Sequence, residues 1–199
     1  MLDNYLYGLQ RRVDDGLGWY WVVRINAEGA ATAIGNIGLN SVICGDVDSD
    51  GFLWASSAGS NYFKIDVRPD SPTYGQTLES GTMSNLGYAI SDWSFLSFGG
   101  GDYIYTVATG SPSPYTSTML RFSKTTKTWQ AMYHYTNTPS NVWGSLYAFD
   151  ATNSIYAADN ASGQIWKFPV FGGSATFVSQ SSSASPNDGA SCLAATPDF

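Results

Sequence analysis

A repeated unit is the feature that most constrains the fold of this 199-residue chain. The unit comprises a polar turn, an aliphatic–aromatic pair, a short gap, an alternating strand that carries a basic residue, and a second turn. Its four aromatic residues, Tyr7, Trp54, Tyr105 and Tyr156, are separated by 47, 51 and 51 residues. This period is typical of a four-stranded propeller blade, so the sequence predicts a small all-β propeller with four blades.

The repeats also predict how the blades divide the chain. We expect a single domain over residues 1–199, with blades at about 188–199 plus 1–40, 41–86, 87–141 and 142–187. An inner apolar strand precedes three of the pairs, whereas only a few residues precede Leu6. Because segment 189–194 has the character of such a strand, we predict that it pairs with the N-terminal strand and closes the first blade. A different strand assignment would give a β-sandwich.

The composition limits the classes of partner. A formal net charge of −7 disfavours nucleic acid, because binding to phosphates is supplied mainly by Lys and Arg. No stretch approaches the roughly 20 apolar residues that span a bilayer, so we expect no membrane insertion. Charged residues make up only 13% of the chain and aromatic residues 15%, which favours short strands and turns over surface helices. No glycine-rich loop opens a helix, so we expect no nucleotide cofactor.

Two cysteines predict the compartment. Cys44 and Cys192 fall at similar places on the inner strands of neighbouring predicted blades, and we predict a disulfide between them, with two buried thiols as the alternative. Such a bond would indicate a secreted, extracellular protein. The sequon Asn160-Ala161-Ser162 fits that compartment. The first residues, 1–4, lack the basic and apolar regions of a secretory signal, so we expect any export signal to have been removed or never to have existed.

Four phrases resemble a known family. They are CGDVDSDG at 44–51, ISDWSF at 90–95, GQIWKFPV at 163–170 and NDGASC at 187–192. They are similar to phrases in a family of uncharacterised secreted β-propeller proteins that is common in fungi. The resemblance covers nearly the full chain and implies a propeller fold and an extracellular location. It implies no catalytic residue.

Alternating carboxylates indicate one candidate metal site. Asp46, Asp48 and Asp50, followed by Gly51, match the start of a calcium loop. The match is incomplete, because the positions where such loops place their later acidic ligand are occupied by Trp54 and Ser57. The alternative is a hairpin turn in which the aspartates accept hydrogen bonds from their own backbone.

Three aspartates are candidates for acid–base chemistry. Asp46, Asp92 and Asp150 lie near the ends of predicted inner strands, where a propeller gathers side chains around its central channel. A ring of carboxylates there would bind a cation, or would raise one carboxyl pKa by like-charge repulsion. The alternative is that each aspartate accepts backbone hydrogen bonds within its own blade.

The aromatic residues suggest what the chain binds. Tyr88, Trp93, Trp143 and Tyr147 lie on or beside inner strands near the predicted channel mouth. Aromatic rings among Asn, Asp and Ser suit sugars or flat small molecules, so the leading hypothesis is an extracellular module that binds a glycan or small organic ligand. One alternative is a lyase, hydrolase or cyclase that uses the same cavity. Another is a structural surface protein whose repeats mediate assembly.

Overall fold

The computed structural model describes residues 5–12, 18–39, 41–57, 59–84, 86–97, 101 and 103–184. The chain divides into two compact units, residues 1–82 and 83–199. Each unit holds two antiparallel sheets in which consecutive strands are neighbours. No helix in the described ranges is long and apolar enough to cross a membrane.

The first unit contains the first two sheets. The first sheet has three strands, β1 (Leu6–Arg11), β2 (Tyr20–Ile25) and β3 (Ala31–Asn36). The second sheet has four, β4 (Cys44–Val47), β5 (Phe52–Ser56), β6 (Asn61–Asp66) and β7 (Thr77–Thr82). The predicted fourth strand of the first blade, residues 189–194, lies outside the described residues.

The second unit contains two four-stranded sheets. The third sheet comprises β8 (Ser94–Phe95), β9 (Tyr103–Ala108), β10 (Ser117–Ser123) and β11 (Trp129–Tyr135). The fourth comprises β12 (Trp143–Phe149), β13 (Ser154–Asp159), β14 (Gln164–Pro169) and β15 (Thr176–Gln180). A 3-10 turn, Asp150–Thr152, joins β12 to β13. These meandering sheets are propeller blades, and the predicted all-β, four-bladed propeller is confirmed.

The sequence repeat corresponds to a strand pairing that recurs in all four sheets. In every sheet the aromatic residue of one strand lies opposite the basic residue of the next strand, as Tyr7–Arg24, Trp54–Lys64, Tyr105–Arg121 and Tyr156–Lys167. The basic groups also lie over aromatic rings, at 4.8 Å from Tyr5 for Arg24, 3.9 Å from Phe52 for Lys64, 4.2 Å from Tyr103 for Arg121 and 5.8 Å from Tyr156 for Lys167. Cation–π contacts therefore contribute to the stability of each of the four blades.

One inner strand differs from its prediction. The apolar segment 88–91 forms only an isolated bridge between Ala89 and Thr109, and the inner strand of the third sheet is the two-residue β8. The intervening Asp92 directs its carboxylate to the backbone N–H groups of Trp93 and Leu146. The pairing of this segment with β9 is interrupted at Asp92, because the Asp92 carboxylate binds these two backbone N–H groups.

Each unit has an apolar core. In the first unit, buried residues of β2, β5 and β6 pack together, and Val22, Ala55 and Ile65 are fully covered. In the second unit, β9, β10, β12, β13 and β14 supply a larger cluster that includes Tyr105 and Trp143. Burying these side chains is the main favourable contribution to the stability of the blades.

A buried carboxylate organises the loop after β6. Asp66 is fully buried and accepts hydrogen bonds from the guanidinium of Arg68 at 2.7 and 2.9 Å and from the hydroxyls of Ser71 and Thr73 at 2.5 and 2.6 Å. The hydrogen bonds from Arg68, with those from the two hydroxyls, outweigh burial and hold the pKa of this carboxyl well below its usual range. The carboxylate thereby fixes the path of residues 67–76.

The lowered pKa predicts an acid-dependent loss of stability. A carboxyl whose pKa is depressed by folding contributes fully above its unfolded value of about 4 and progressively less as the pH falls below it. We expect the free energy of unfolding to decrease from pH 5 to pH 2. We expect Asp66→Asn to cost about 2 kcal/mol at pH 7 and to make this decrease shallower. Urea unfolding at several pH values measures both effects.

The exposed Asp70 in the same loop provides the control, because it occupies a solvated position. We expect Asp70→Asn to change neither the stability nor its pH dependence appreciably. Equal effects of the two substitutions would contradict the assignment of the acid dependence to Asp66.

Candidate functional site

Five loops form one end of the second unit. At this end β9 and β13 finish, whereas β10, β12 and β14 begin, because neighbouring strands are antiparallel. The loops are residues 86–91, 109–116, 136–142, 160–163 and 181–184. Each loop is hydrogen bonded to the next, through Ala89–Thr109, Thr116–Thr138, Val142–Asn160 and Gly163–Ser181. They are therefore one continuous surface.

This surface carries no charge of its own. None of its residues is Asp, Glu, Lys, Arg or His, and most are Ser, Thr, Asn, Gly or Pro. Two loops at the opposite end of the same strands differ, since 123–128 contains Lys124 and Lys127 and 149–153 contains Asp150. We call the five loops the uncharged loop surface.

A small cavity opens on the uncharged loop surface. Its volume is about 170 Å³, and it is lined by Ala89, Ile90, Ser91, Thr109, Val142 and Trp143. Two hydroxyl groups thus lie beside aliphatic groups and one indole ring. Because no lining residue is ionisable, the cavity suits a neutral group that is partly apolar and partly able to hydrogen bond.

Large apolar side chains are exposed on the same loops. Leu86 is 47% exposed, Val142 45% and Tyr115 40%. The Tyr115 ring stacks on the imidazole of His134, with 4.8 Å between the ring centroids and 23° between the planes. His134 is in turn anchored, because its Nδ1 lies 2.8 Å from the Thr118 hydroxyl oxygen. Tyr115 is therefore a supported, partly exposed aromatic ring on the uncharged loop surface.

The four aromatic residues predicted to bind a ligand differ in their burial. Trp93 and Trp143 are each only 1% exposed. Trp93 packs against Phe122 and Trp129, while Trp143 packs edge-on against Phe168 and donates its indole N–H to the Ser117 hydroxyl at 3.1 Å. Their ring faces are used in packing, and Trp143 also lines the cavity. A ligand-binding role for Trp93 and Trp143 stays a prediction.

The two predicted tyrosines are less covered. Tyr88 and Tyr147 are both partly exposed. Tyr88 belongs to the uncharged loop surface, directly before the cavity residue Ala89. The hydroxyl of Tyr147 accepts a hydrogen bond from Ser145 at 3.0 Å. A ligand-binding role for Tyr88 fits this placement and stays a prediction.

The carboxylates of Asp92 and Asp150, which were predicted to lie around the channel, bind backbone N–H groups in two different places. Asp92 is 1% exposed and accepts the backbone N–H of Leu146 at 2.7 Å and that of Trp93 at 2.8 Å. Asp150 follows β12 at the opposite end of the inner strands and accepts the backbone N–H of Ser97 at 2.8 Å as well as its hydroxyl. Asp92 and Asp150 thus lie at opposite ends of the inner strands, and each binds a segment of the neighbouring blade.

Asp46, the third predicted carboxylate, is in the first unit. Its Oδ1 accepts the backbone N–H of Val47 at 2.8 Å, within its own blade. This is the backbone arrangement that the sequence allowed as an alternative.

The calcium-like segment is a hairpin turn. Asp48 is 3% exposed and its carboxylate accepts the N–H groups of Asp50, Phe52 and the Trp54 indole, at 3.0, 3.0 and 2.8 Å. Gly51, with a φ of +87°, completes the turn between β4 and β5. Within the described ranges no three His, Cys, Asp or Glu residues converge as metal ligands. Calcium binding by Asp46, Asp48 and Asp50 stays a prediction.

The predicted disulfide involves one described residue. Cys44 is buried at the start of β4, with its Sγ 3.7 Å from the carbonyl oxygen of Ser56. Cys192 lies outside the described residues, so the bond and the extracellular location that it would indicate stay predictions.

Sequence reasoning emphasised tryptophan and aspartate and missed the uncharged loop surface. The available signal was the distribution of charge, since residues 103–120 and 168–187 contain no charged residue at all. Only the strand topology shows that such separate segments share one end of the blades.

A family model matches most of this sequence. The model describes a repeat of unknown function, DUF6923, and it matches residues 1–194. The chain belongs to this family. No curated protein matches the chain.

Several solved structures share the fold at low sequence identity. A structure titled as a nidogen/laminin complex has a TM-score of 0.62 at 9% identity, over 96% of this chain and 65% of that one. A protein of unknown function from Bacteroides thetaiotaomicron has a TM-score of 0.57 at 13% identity, over 92% and 46%. A protein of unknown function from Bacteroides caccae has a TM-score of 0.51 at 12% identity, over 93% and 60%.

The chain spans less than two thirds of each of these structures. Identities this low show the fold alone. The propeller fold is consistent with a binding or structural module.

Proposed function

We propose that this DUF6923 chain is a binding module that holds a neutral carbohydrate on the uncharged loop surface. The observation that carries this proposal is the absence of charge from five hydrogen-bonded loops in a chain with a net charge of −7. Hydroxyl and amide groups match the hydroxyl groups of a sugar, because both partners donate and accept hydrogen bonds. An ionic ligand would find no opposite charge in these loops.

Tyr115 and the cavity supply complementary contacts. Tyr115, stacked on His134, offers an aromatic ring of the kind that packs against the apolar face of a sugar. A cavity of about 170 Å³ is smaller than the roughly 300–1,000 Å³ pockets that enclose whole drug-sized ligands. It therefore suits one ring or substituent, such as an acetamido or methyl group, with the rest of the glycan lying across the loops.

The proposal includes an extracellular location. Neutral glycans and oxidising conditions meet at cell surfaces and outside cells, where a Cys44–Cys192 disulfide would persist. The buried position of Cys44 protects its sulfur from solvent, which suits a structural bond.

A glycan array probed with the purified, oxidised protein tests this proposal. We expect saturable binding to neutral glycans, measured afterwards by calorimetric titration with the best glycan. We expect Tyr115→Ala to weaken that binding at least about tenfold, which corresponds to losing about 1.4 kcal/mol of contact. The fold should persist, because Tyr115 is 40% exposed.

Phe171 provides a matched control. It is an aromatic residue with 59% exposure, and it follows β14 at the opposite end of the second unit. We expect Phe171→Ala to leave the affinity unchanged. The proposal fails if Phe171→Ala abolishes binding while Tyr115→Ala has no effect, or if the array shows only binding to acidic glycans.

A further inference from the structure

Two buried oxygen atoms beneath the uncharged loop surface have no hydrogen-bond partner. Asp159 ends β13 and is fully buried. Its Oδ2 accepts the N–H and the hydroxyl of Ser162 at 2.8 and 2.5 Å, whereas its Oδ1 has no partner. The Oδ1 of the next residue, Asn160, is also buried without a partner.

Such a pair is unusual in a folded protein. Buried polar atoms nearly always have a hydrogen-bond partner, and burying a carboxylate without compensation is costly. Nearby backbone donors are already used, since the N–H of Asn160 binds the carbonyl of Val142 and the N–H of Gly163 binds that of Asp159. The adjoining loops contain no Lys, Arg or His that would neutralise the charge.

We propose that Asp159 and Asn160 bind a calcium ion through these two oxygen atoms. A carboxylate and an amide carbonyl are ligands that this hard cation prefers, and water or further carbonyls complete its shell of six to eight oxygens. Further carbonyls belong to the adjoining segment 181–184, because the N–H of Ser181 binds the carbonyl of Gly163 and the N–H of Ala184 binds that of Asn160. The cation supplies the positive charge that the loops lack.

This site differs from the calcium-like turn at Asp46, Asp48 and Asp50. There the buried Asp48 carboxylate already accepts three N–H groups. Because the Asp159 site has one carboxylate, we expect weak binding, with a Kd on the order of 10⁻⁴–10⁻³ M, as in extracellular modules. The site does not depend on the proposed carbohydrate binding, and its test uses no sugar.

Terbium luminescence provides a direct readout. Tb³⁺ replaces Ca²⁺ at oxygen sites and emits when a nearby tryptophan is excited, and Trp143 lies directly opposite Asp159 in the ladder. We expect a saturable signal from the full chain that Ca²⁺ displaces more effectively than Mg²⁺, since Mg²⁺ demands a tighter, octahedral shell. Asp159→Asn should abolish the signal.

A gain-of-function variant separates ion binding from misfolding. Asn160→Asp adds a second carboxylate, so we expect it to tighten Tb³⁺ and Ca²⁺ binding about tenfold. Asp50→Asn, in the other turn, should leave the titration unchanged. The proposal is overturned if no saturable signal appears, if Asp50→Asn alone removes it, or if Asn160→Asp binds no more tightly than the natural sequence.

Discussion

Replacing Asp92 with alanine is expected to lower the free energy of unfolding by about 3–5 kcal/mol. The side chain is 1% exposed, and its carboxylate is the acceptor for the backbone N–H groups of Trp93 and Leu146. Its removal leaves two buried donors without a partner and disconnects β12 from the start of β8. Urea unfolding followed by far-ultraviolet circular dichroism measures the loss.

Asp150 is the matched control for this prediction. It also accepts a backbone N–H from the neighbouring blade, but its partner Ser97 is exposed, and water can replace the carboxylate there. We expect Asp150→Ala to cost about 1 kcal/mol or less. Equal and small losses for both variants would contradict the view that Asp92 joins the two blades.

Replacing Trp143 with alanine is expected to lower the free energy of unfolding by about 3–5 kcal/mol, whether or not a ligand is bound. This indole is 1% exposed, packs against Phe168 and donates its N–H to Ser117. Alanine creates a large cavity in the core of the second unit and leaves the Ser117 hydroxyl without its donor. Chemical unfolding monitored by the remaining tryptophan fluorescence measures the loss.

Two comparisons separate packing from ligand binding. Trp143→Phe retains part of the ring and should cost only about 1–2 kcal/mol. Trp166→Ala, at a partly exposed tryptophan of β14, should cost about 1 kcal/mol. If Trp143→Ala kept full stability and lost only affinity for a glycan, the ring would be a stacking platform after all.

The fold could be predicted from the sequence because the residues that define each repeat lie close together in the chain. Each aliphatic–aromatic pair and the basic residue that follows it are joined by one hairpin, so the pairing of Trp54 with Lys64 or Tyr156 with Lys167 needs only a turn between two strands. The same logic located the hairpin at Asp50 and Gly51. Patterns within a single hairpin therefore predicted the blades well.

The site was less accessible because the burial of a side chain depends on strands that lie far from it in the sequence. Trp93 and Trp143 stand beside polar residues in the sequence, yet Phe122, Trp129 and Phe168 from other strands cover them. Likewise, Asp92 finds its partner at Leu146, 54 residues away. The uncharged loop surface combines five segments whose proximity follows only from how the strands are arranged.

Backbone amide NMR tests the proposed binding surface most directly. A labelled sample would be titrated with the neutral glycan that binds best on the array, and the shifted amides would be mapped on the chain. We expect shifts concentrated in residues 86–91, 109–116 and 136–142, with the largest around the cavity at Thr109 and Val142. Shifts concentrated instead in loops 123–128 and 149–153, at the opposite end of the same strands, would contradict it.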